Sequence, residues 1–397
     1  MIERLLARLP RGARAIAMAG IVVGIAAFWI ALPPLQARSP LWPALIGVLA
    51  LILGATAVSR GVKRLGWGAI VAGVAGIGLG YLATRSSVAH LDQVVVWSAL
   101  FAAMLRYATP LIFAALGGIF SERSGVTNIG LEGMLLAGAF FGILAADKLE
   151  SWVLGLLIAA LAGGLFALVH AFFSIHLRAD QIISGFAINF LALGLTGYLF
   201  IDIYGGQGTP TDIPEIPDVH LSFLEDWYFL GPIFGRLNLM IWLAAGSVVL
   251  AWLVLFRTPI GLRLRSVGEH PRAAETVGIS VYATRYAAVT LSGVLAGLGG
   301  AYLSIGFVNS FNQNMTAGRG FIALAVVICG NWRPFNAALI ALLFGFSSAL
   351  AQRLPAYSES AAVLFQALPY VLTLVVVAGV IGRSYPPAAV GRPYRKQ

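Results

Sequence analysis

The sequence predicts an all-α polytopic membrane protein with about twelve transmembrane helices. Of its 397 residues, 59% are hydrophobic and only 11% are charged, whereas a soluble domain carries about 25% charged residues. Apolar runs of about 20 residues recur along the chain, and an α-helix of that length crosses a bilayer. The 46 glycines and 18 prolines lie within these runs, so they do not indicate a low-complexity protein.

A window of about 20 residues places the spans along the chain. The predicted spans are residues 15–32, 41–58, 65–84, 93–120, 129–146, 152–175, 181–201, 238–256, 286–308, 319–331, 335–352 and 362–382. The first run is longer than the apolar part of a signal peptide, so we interpret it as a retained helix. The fourth contains Arg106 and Pro110, which favour a tilt or a kink, and the tenth is short.

Basic residues predict the orientation, because Lys and Arg near helix ends stay in the cytoplasm. One set of alternating loops contains the N-terminal arginines, Arg60 to Arg64, Arg178, the five arginines of 257–285, and the C-terminal tail. The other set contains the 202–237 loop, which has six acidic residues and one arginine. Both termini are therefore expected in the cytoplasm and 202–237 outside it. The net charge of +10 reflects this topology, and we expect no nucleic-acid partner.

Two polar segments interrupt the apolar pattern, at residues 121–133 and 309–320. Each is rich in Gly, Asn and Ser or Thr, which suits irregular backbone followed by a helix N-terminus. The count of spans places the segments on opposite sides of the membrane, as an inverted repeat with two broken helices around a central pathway would. The alternative is that both are ordinary solvated loops. The predicted pathway residues are Asn128, Glu132, Gln181, Asn189, Asn309, Asn312, Asn314 and Arg319.

Glu132 is the strongest of these candidates. It lies inside the predicted fifth span and is followed by Met134, Leu135 and Leu136. Because a carboxylate in lipid is costly, we expect it to face a cavity or a helix N-terminus. Gln181 and Asn189 are weaker candidates, since amides inside a membrane often only bond to a neighbouring helix.

The cytoplasmic loop at 257–285 contains a predicted short helix. Pro271 suits the first position of a helix and Gly278 the residue just past its end, so about two turns are expected between them. The paired alanines Ala273 and Ala274 would offer a small docking surface. The alternative is a plain surface connector.

Catalytic and metal-binding motifs are absent from the sequence. It has no Gly-x-x-x-x-Gly-Lys-Ser/Thr loop, no Gly-x-Ser-x-Gly elbow with its partners and no His-Glu-x-x-His. Cys329 is the single cysteine, and the run Gly297 to Gly300 indicates close helix packing. His170 and His176 are six residues apart, so we interpret them as solvated or pore-edge histidines rather than metal ligands. Catalysis by this chain, and a metal or cofactor on it, are therefore not expected.

Several blocks together resemble a known family. They are residues 107–111, 115–118, 121–133, 177–181, 256–279, 315–324 and 368–370. In this order, from about Leu91 to Tyr394, they resemble the membrane permease of bacterial ABC importers. The superfamily includes ribose and branched-chain amino acid permeases, and the resemblance is closest to its nucleoside-type branch. It covers about three-quarters of the chain and leaves an N-terminal extension, residues 1–90, outside the permease core of 91–397.

The resemblance implies a type II ABC importer in the bacterial plasma (inner) membrane. Two permeases, often different chains, would form the pathway for a small solute such as a nucleoside, base or sugar. A cytoplasmic ATPase would bind ATP and Mg²⁺, and a lipoprotein or periplasmic protein would deliver the solute to this lipid-embedded pair. The residues that resemble the family's coupling helix, which docks on the ATPase, are Glu269, Pro271, Arg272, Ala273, Ala274 and Gly278.

Two other classes of function are compatible with the composition. A stand-alone secondary transporter or channel would need a relay of charged residues among the spans. Beyond Glu132, with Arg106 or Arg319, the sequence offers few such residues. A membrane scaffold or enzyme is the third class, and the missing catalytic motifs argue against an enzyme.

Overall fold

The computed structural model describes residues 11–31, 39–84, 96–205, 208–210, 212–227, 229–353, 367 and 385–395. The predicted boundary between residues 90 and 91 lies outside these ranges. So do the block 368–370 and, apart from residue 367, the predicted twelfth span. Most of the described chain is helical, and it divides into two compact units.

The first unit contains the described residues up to Leu100, together with 348–353 and 367. Its complete helices are α1 (Arg11–Trp29), α2 (Leu41–Ser59) and α3 (Lys63–Thr84). These three helices pack closely through small residues. A Cβ atom on Gly76 would lie 2.2 Å from the carbonyl oxygen of Gly24, so the backbones of α1 and α3 touch without side chains between them.

The second unit contains the described residues from Phe101 to Ser347 and 385–395. Its helices, two of which begin or end in the first unit, are α4 (Trp97–Arg123), α5 (Leu131–Lys148), α6 (Trp152–Ala171), α7 (Gln181–Tyr204), α8 (Ser222–Glu225), α9 (Leu239–Arg257), α10 (Pro259–Glu269), α11 (Pro271–Thr276), α12 (Val281–Ala301), α13 (Arg319–Cys329) and α14 (Pro334–Arg353). π-Helical turns extend α6 through Phe172–His176 and α12 through Tyr302–Val308, and a third lies at Gly231–Gly235.

Helices α5, α6 and α12 form the centre of the second unit. A Cβ atom on Gly300 would lie 1.9 Å from the carbonyl oxygen of Leu135, and one on Gly297 would lie 2.2 Å from that of Ala159. Only glycine fits at such backbone contacts. The prediction that the run Gly297 to Gly300 packs closely is confirmed.

Seven helices among the described residues are long and apolar enough to cross a membrane. They are Leu41–Ser59, Trp97–Arg123, Trp152–His176, Gln181–Tyr204, Leu239–Arg257, Val281–Val308 and Pro334–Arg353, and each overlaps a predicted span. Four further predicted spans coincide with α1, α3, α5 and α13. The apolar part of α1 is only Ala15–Trp29 and α13 has 11 residues. The other two of these four helices contain charged residues. These are Glu132, Asp147 and Lys148 in α5, and Lys63 and Arg64 at the start of α3.

The described chain is mostly helical, as predicted, but a small sheet that was not predicted lies in and next to the 202–237 loop. Strands β1 (Asp218–His220) and β2 (Arg236–Asn238) pair antiparallel, with Val219 opposite Leu237. Arg236 Nε donates a hydrogen bond to Asp218 Oδ2 across the pair at 3.0 Å. Three-residue strands are too short to produce a periodic pattern in the sequence.

The 257–285 loop is also more ordered than predicted, because it contains α10 as well as the predicted α11. Thr258 caps α10, since its Oγ1 accepts from Gly261 N at 3.3 Å, and Pro259 is the first residue of the helix. Helix α11 begins at Pro271 as predicted, and Gly278 follows it with φ +82°. A positive φ is the reason that glycine suits this position.

Candidate functional site

An irregular segment, residues 124–130, separates α4 from α5. The helix ends at Arg123, and Gly125 takes φ +93°. Ser121 Oγ donates to the carbonyl of Val126 at 2.7 Å, which satisfies a backbone acceptor of the irregular segment. Val126 and Asn128 are fully buried, so this is not a solvated loop. We call residues 124–130 the interrupted segment.

Helix α7 holds the interrupted segment through two predicted pathway residues. Gln181 Oε1 accepts from the backbone N–H of Thr127 at 2.7 Å. Asn189 Nδ2 donates to the carbonyl of Ile129 at 3.0 Å, and its Oδ1 accepts from Gly133 N at 2.7 Å. At 1.5 Å per residue, the two amides are about 12 Å apart along α7. The two amides therefore bond to backbone groups along about two turns of α7. Buried peptide groups outside a helix need such hydrogen-bond partners.

Glu132 joins α5 to the N-terminus of α13. Its Oε1 accepts from Thr316 Oγ1 at 2.6 Å and from Gly318 N at 2.8 Å, and its Oε2 accepts from Gly320 N at 2.5 Å. The carboxylate is buried and lies in the first turn of α5. A helix N-terminus presents unpaired N–H groups and partial positive charge, which favour a carboxylate. Of the two environments expected for Glu132, the structure has the helix N-terminus.

The second polar segment, residues 309–318, is held partly by the 202–237 loop. Asn309 takes φ +50°, and its Nδ2 donates to Glu215 Oε1 at 2.8 Å. Arg319 Nη1 donates to the carbonyls of Met315 and Thr316 at 2.7 and 3.1 Å. The side chains of Asn312 and Asn314 are exposed. This segment thus connects the 202–237 loop to the site at Glu132.

The eight predicted pathway residues do not form one cluster of side chains. Gln181 and Asn189 contact the interrupted segment, and Glu132 contacts the second segment. Asn128 Nδ2 donates to Ser292 Oγ on α12 at 2.9 Å, and its buried Oδ1 has no hydrogen-bond partner among the described residues. Most of these groups bond to protein backbone, so they fix the two irregular segments in place.

His170 was not predicted to belong to this site. It is fully buried in α6, so its interpretation as a solvated or pore-edge residue is wrong. Its Nε2 lies 3.0 Å from the carbonyl oxygen of Thr127, and its Nδ1 lies 3.0 Å from Ser184 Oγ. Because a carbonyl only accepts, Nε2 carries the hydrogen and Nδ1 accepts from the hydroxyl. A histidine in an apolar run was the available signal in the sequence. The second histidine, His176, is exposed and stacks on Phe172.

Glu122 forms a second buried contact at the end of α4 that was not predicted. Its Oε2 accepts from Trp332 Nε1 at 2.5 Å. Arg123 Nη2 donates to the carbonyl of Trp332 at 3.0 Å. These bonds fix the turn between α13 and α14 against α4. Within the described part of the chain, no group of three His, Cys, Asp or Glu residues could hold a metal ion.

The face formed by α10 and α11 contains the predicted coupling residues. A cleft of about 970 Å³ lies beside α11 and is lined by residues of α10, α11 and the start of α12. Arg272, Ala273 and Gly278 are exposed, Pro271 is half-buried, and Ala274 is buried. Val277, next to the cleft, is 74% exposed. The helix therefore presents one side to solvent and one to the protein.

Helix α10 connects this face to the interrupted segment. A Cβ atom on Gly268 would lie 2.1 Å from the carbonyl oxygen of Arg123, the residue at which α4 ends. Glu269 Oε2 accepts from the backbone N–H of Ala388 at 3.2 Å. The exposed α11 and the buried interrupted segment are thus separated by a few packed residues.

Comparison with known proteins identifies the chain's relatives. The family model described as "Branched-chain amino acid transport system / permease component" matches residues 100–377. The chain is 44% identical to the guanosine ABC transporter permease protein NupQ of Bacillus subtilis over 327 residues, which covers 77% of this chain and 99% of NupQ. It is 42% identical to the nucleoside ABC transporter permease protein NupC of Lactococcus lactis, covering 74% and 95% of the two chains.

A second permease of Bacillus subtilis also matches. The guanosine ABC transporter permease protein NupP is 28% identical over 290 residues, which cover 70% of this chain and 82% of NupP. No solved structure matches the chain. The apolar helices, the family match over residues 100–377 and the coverage of nearly all of NupQ agree with one another. The chain is an integral membrane protein that belongs to the branched-chain amino acid transport system permease family, and its role is that of a transport component.

Proposed function

We propose that this chain is the permease subunit of an ATP-driven importer for nucleosides. The observation that carries the proposal is its 44% identity to a guanosine permease over 99% of that protein's length. The similarity to a nucleoside permease of a second organism supports the same substrate class. The importer works in the bacterial plasma membrane with both termini in the cytoplasm, as the distribution of arginines predicts.

The two irregular segments mark the proposed translocation pathway. Helices α5 and α13 begin at these segments, and Glu132 bonds the start of one to the start of the other. This arrangement supports a fold of about twelve spans whose permease core contains inverted repeats, in which broken helices meet near the middle of the membrane. In this proposal Asn128, Glu132, Gln181 and Asn189 set the shape of the pathway from within. The exposed Asn312 and Asn314 meet the solute as it enters.

Helix α11 is the proposed docking element for the ATPase. Its exposed side contains Arg272 and Ala273, and the cleft beside it is open to a partner. ATP and Mg²⁺ bind to that partner. Closure of the ATPase displaces α11, and α10 carries the displacement to the end of α4 through the contact at Gly268.

The proposed importer contains a second, different permease. Bacillus subtilis has two guanosine permeases that match this chain, at 44% and 28% identity, and this chain is more similar to NupQ than to NupP. We infer a heterodimer in which this chain takes the place of NupQ. A lipoprotein or periplasmic binding protein delivers the solute.

Uptake by cells with and without this gene tests the proposed substrate class. We expect loss of the gene to abolish ATP-dependent uptake of radiolabelled guanosine, and a plasmid copy to restore it. Uptake of glucose in the same cells serves as the control and is expected to stay unchanged. Normal guanosine uptake in the deletion strain, with reduced glucose uptake, would overturn the assignment to nucleosides.

A further inference from the structure

The C-terminal residues 388–395, which we call the C-terminal clasp, lie against three parts of the site. The backbone N–H of Ala389 donates to the carbonyl of Gly268 at the end of α10, at 2.9 Å. A Cβ atom on Gly125 would lie 3.3 Å from the carbonyl oxygen of Ala389, so the clasp also touches the interrupted segment. A cleft of about 600 Å³ is lined by residues of α11 and of the clasp.

Arg285 on α12 connects the clasp to the interrupted segment. Its side chain is 1% exposed. Nε donates to the carbonyl of Ser124 at 3.2 Å, and Nη1 donates to the carbonyl of Arg392 at 3.2 Å. A buried guanidinium is costly unless its donors are satisfied, and Nη2 has no hydrogen-bond partner among the residues that the structure describes. The interrupted segment and the clasp each supply one acceptor, so the position of one affects the position of the other through Arg285.

Tyr394 connects the clasp to α11. Its ring is 6% exposed and packs with Val267, Ala274 and Val281. Its hydroxyl donates to Glu275 Oε2 on α11. Burial and the neighbouring Glu275 carboxylate raise the pKa of Tyr394 to about 12, so the hydroxyl keeps its hydrogen at neutral pH and remains a donor. The guanidinium carbon of Arg285 lies 6.0 Å from the centre of the same ring.

We propose that the C-terminal clasp transmits displacement of α11 to the interrupted segment, with Tyr394 and Arg285 as positioning residues. The route runs from Glu275 through Tyr394 to Arg392, and then through Arg285 to Ser124. The route adds to the contact between Gly268 and the carbonyl of Arg123. The inference rests on the proposed docking of α11 to an ATPase.

Hydrogen exchange on the purified full-length permease tests the clasp without the ATPase. Tyr394→Phe removes one hydroxyl, and losing a hydrogen bond to a charged group should speed exchange of the Ala389 amide about tenfold. Tyr385→Phe is the matched control, since Tyr385 lies outside the clasp and its side chain is 67% exposed. Glu275→Ala removes the acceptor of this hydrogen bond and is expected to have the effect of Tyr394→Phe. Exchange at the parental rate in both Tyr394→Phe and Glu275→Ala would overturn the proposed role of the clasp.

The assembled importer in proteoliposomes tests transmission. We expect Tyr394→Phe to co-purify with the ATPase as the parent does, but to hydrolyse more ATP for each nucleoside imported. The Tyr385→Phe importer should keep the parental ratio. A parental ratio in Tyr394→Phe, despite faster exchange at Ala389, would mean that the clasp only stabilises the fold and would refute transmission. Failure of α11 to bind the ATPase would instead refute the proposed docking and leave the exchange result standing.

Discussion

Glu132 shows how one side chain can join two distant parts of this chain. It accepts hydrogen bonds from residues that are 184 to 188 positions away in sequence. Two of the three donors are backbone N–H groups at the start of α13, where no carbonyl of a preceding turn is available. The carboxylate therefore completes a helix that begins in the interior of the protein. Its charge is stabilised by the N-termini of α5 and α13.

Glu132→Gln tests this role at the level of one residue. The glutamine amide would place an NH₂ group against the N–H of either Gly318 or Gly320, which leaves a buried donor without an acceptor. We expect a loss of about 1–3 kcal/mol of stability, measured as a lower midpoint of thermal denaturation, together with slower nucleoside uptake. The control Glu150→Gln, at an exposed position just beyond α5, should match the parent. A parental midpoint and parental uptake in Glu132→Gln would contradict the bonding described above.

The sequence identified several of these residues but not their partners. Glu132 was recognisable because a carboxylate in an apolar run needs a polar partner. Nothing local predicts that this partner is the segment 316–320, since contacts of such separation depend on the whole fold. For His170 the sequence predicted the wrong environment, since the side chain is buried and not solvated. Its burial is compensated by the Thr127 carbonyl and by Ser184, and neither bond is visible from the residues that flank it.

At the scale of single elements, α11 has two different faces. Ala273 is exposed, whereas Ala274 is 3% exposed and packs in the cluster with Val267, Val281 and Tyr394. From the sequence alone, Ala273 and Ala274 were equivalent candidates for docking. The structure separates them, because only Ala273 is accessible to a partner.

Substituting each alanine by glutamate distinguishes docking from folding. Ala273→Glu should leave the permease inserted and thermally stable but abolish co-purification of the ATPase. Ala274→Glu would bury an unpaired carboxylate, so we expect a lower yield of folded protein and a lower denaturation midpoint. Each of the two variants is the control for the other, since the same substitution is made at neighbouring positions. If Ala273→Glu co-purifies with the ATPase and transports normally, α11 is not the docking element.

The sequence predicted α11 and missed α10 for a physical reason. Proline at the start and glycine after the end are strong local signals, and they mark Pro271 and Gly278. Helix α10 has the same start signal at Pro259, and its buried Gly261, Leu264 and Val267 follow helical spacing. It ends at Glu269 and is followed directly by His270 and Pro271, so no glycine marks a stop after it. Seven predicted spans overlap described helices that are long and apolar enough to cross a membrane, because the bilayer itself sets their length and hydropathy.

At the scale of the whole molecule, the chain matches two guanosine permeases of Bacillus subtilis to different degrees. It covers 99% of NupQ at 44% identity and 82% of NupP at 28% identity. If each pathway contains both types, two copies of this chain should not pair with each other. The difference between a heterodimer and a homodimer is a property of the assembly, and the sequence of a single helix does not predict it.

Co-expression of differently tagged chains tests the pairing. We expect the second, NupP-like permease of the same organism to co-purify with this chain in equal amount. Two differently tagged copies of this chain should not co-purify, whether or not the second permease is present. Recovery of both tags in one complex would show a homodimer and would contradict the inferred heterodimer.

The position of Arg285 also has a consequence for the time at which the site is completed. Its acceptor on Arg392 lies 107 residues later in the chain. At about 5–20 residues per second, the ribosome adds Arg392 about 5–20 s after Arg285. During this interval the buried guanidinium lacks one of its two carbonyl acceptors. The interrupted segment therefore reaches its final bonding late in biogenesis, after the helices that surround it have been synthesised.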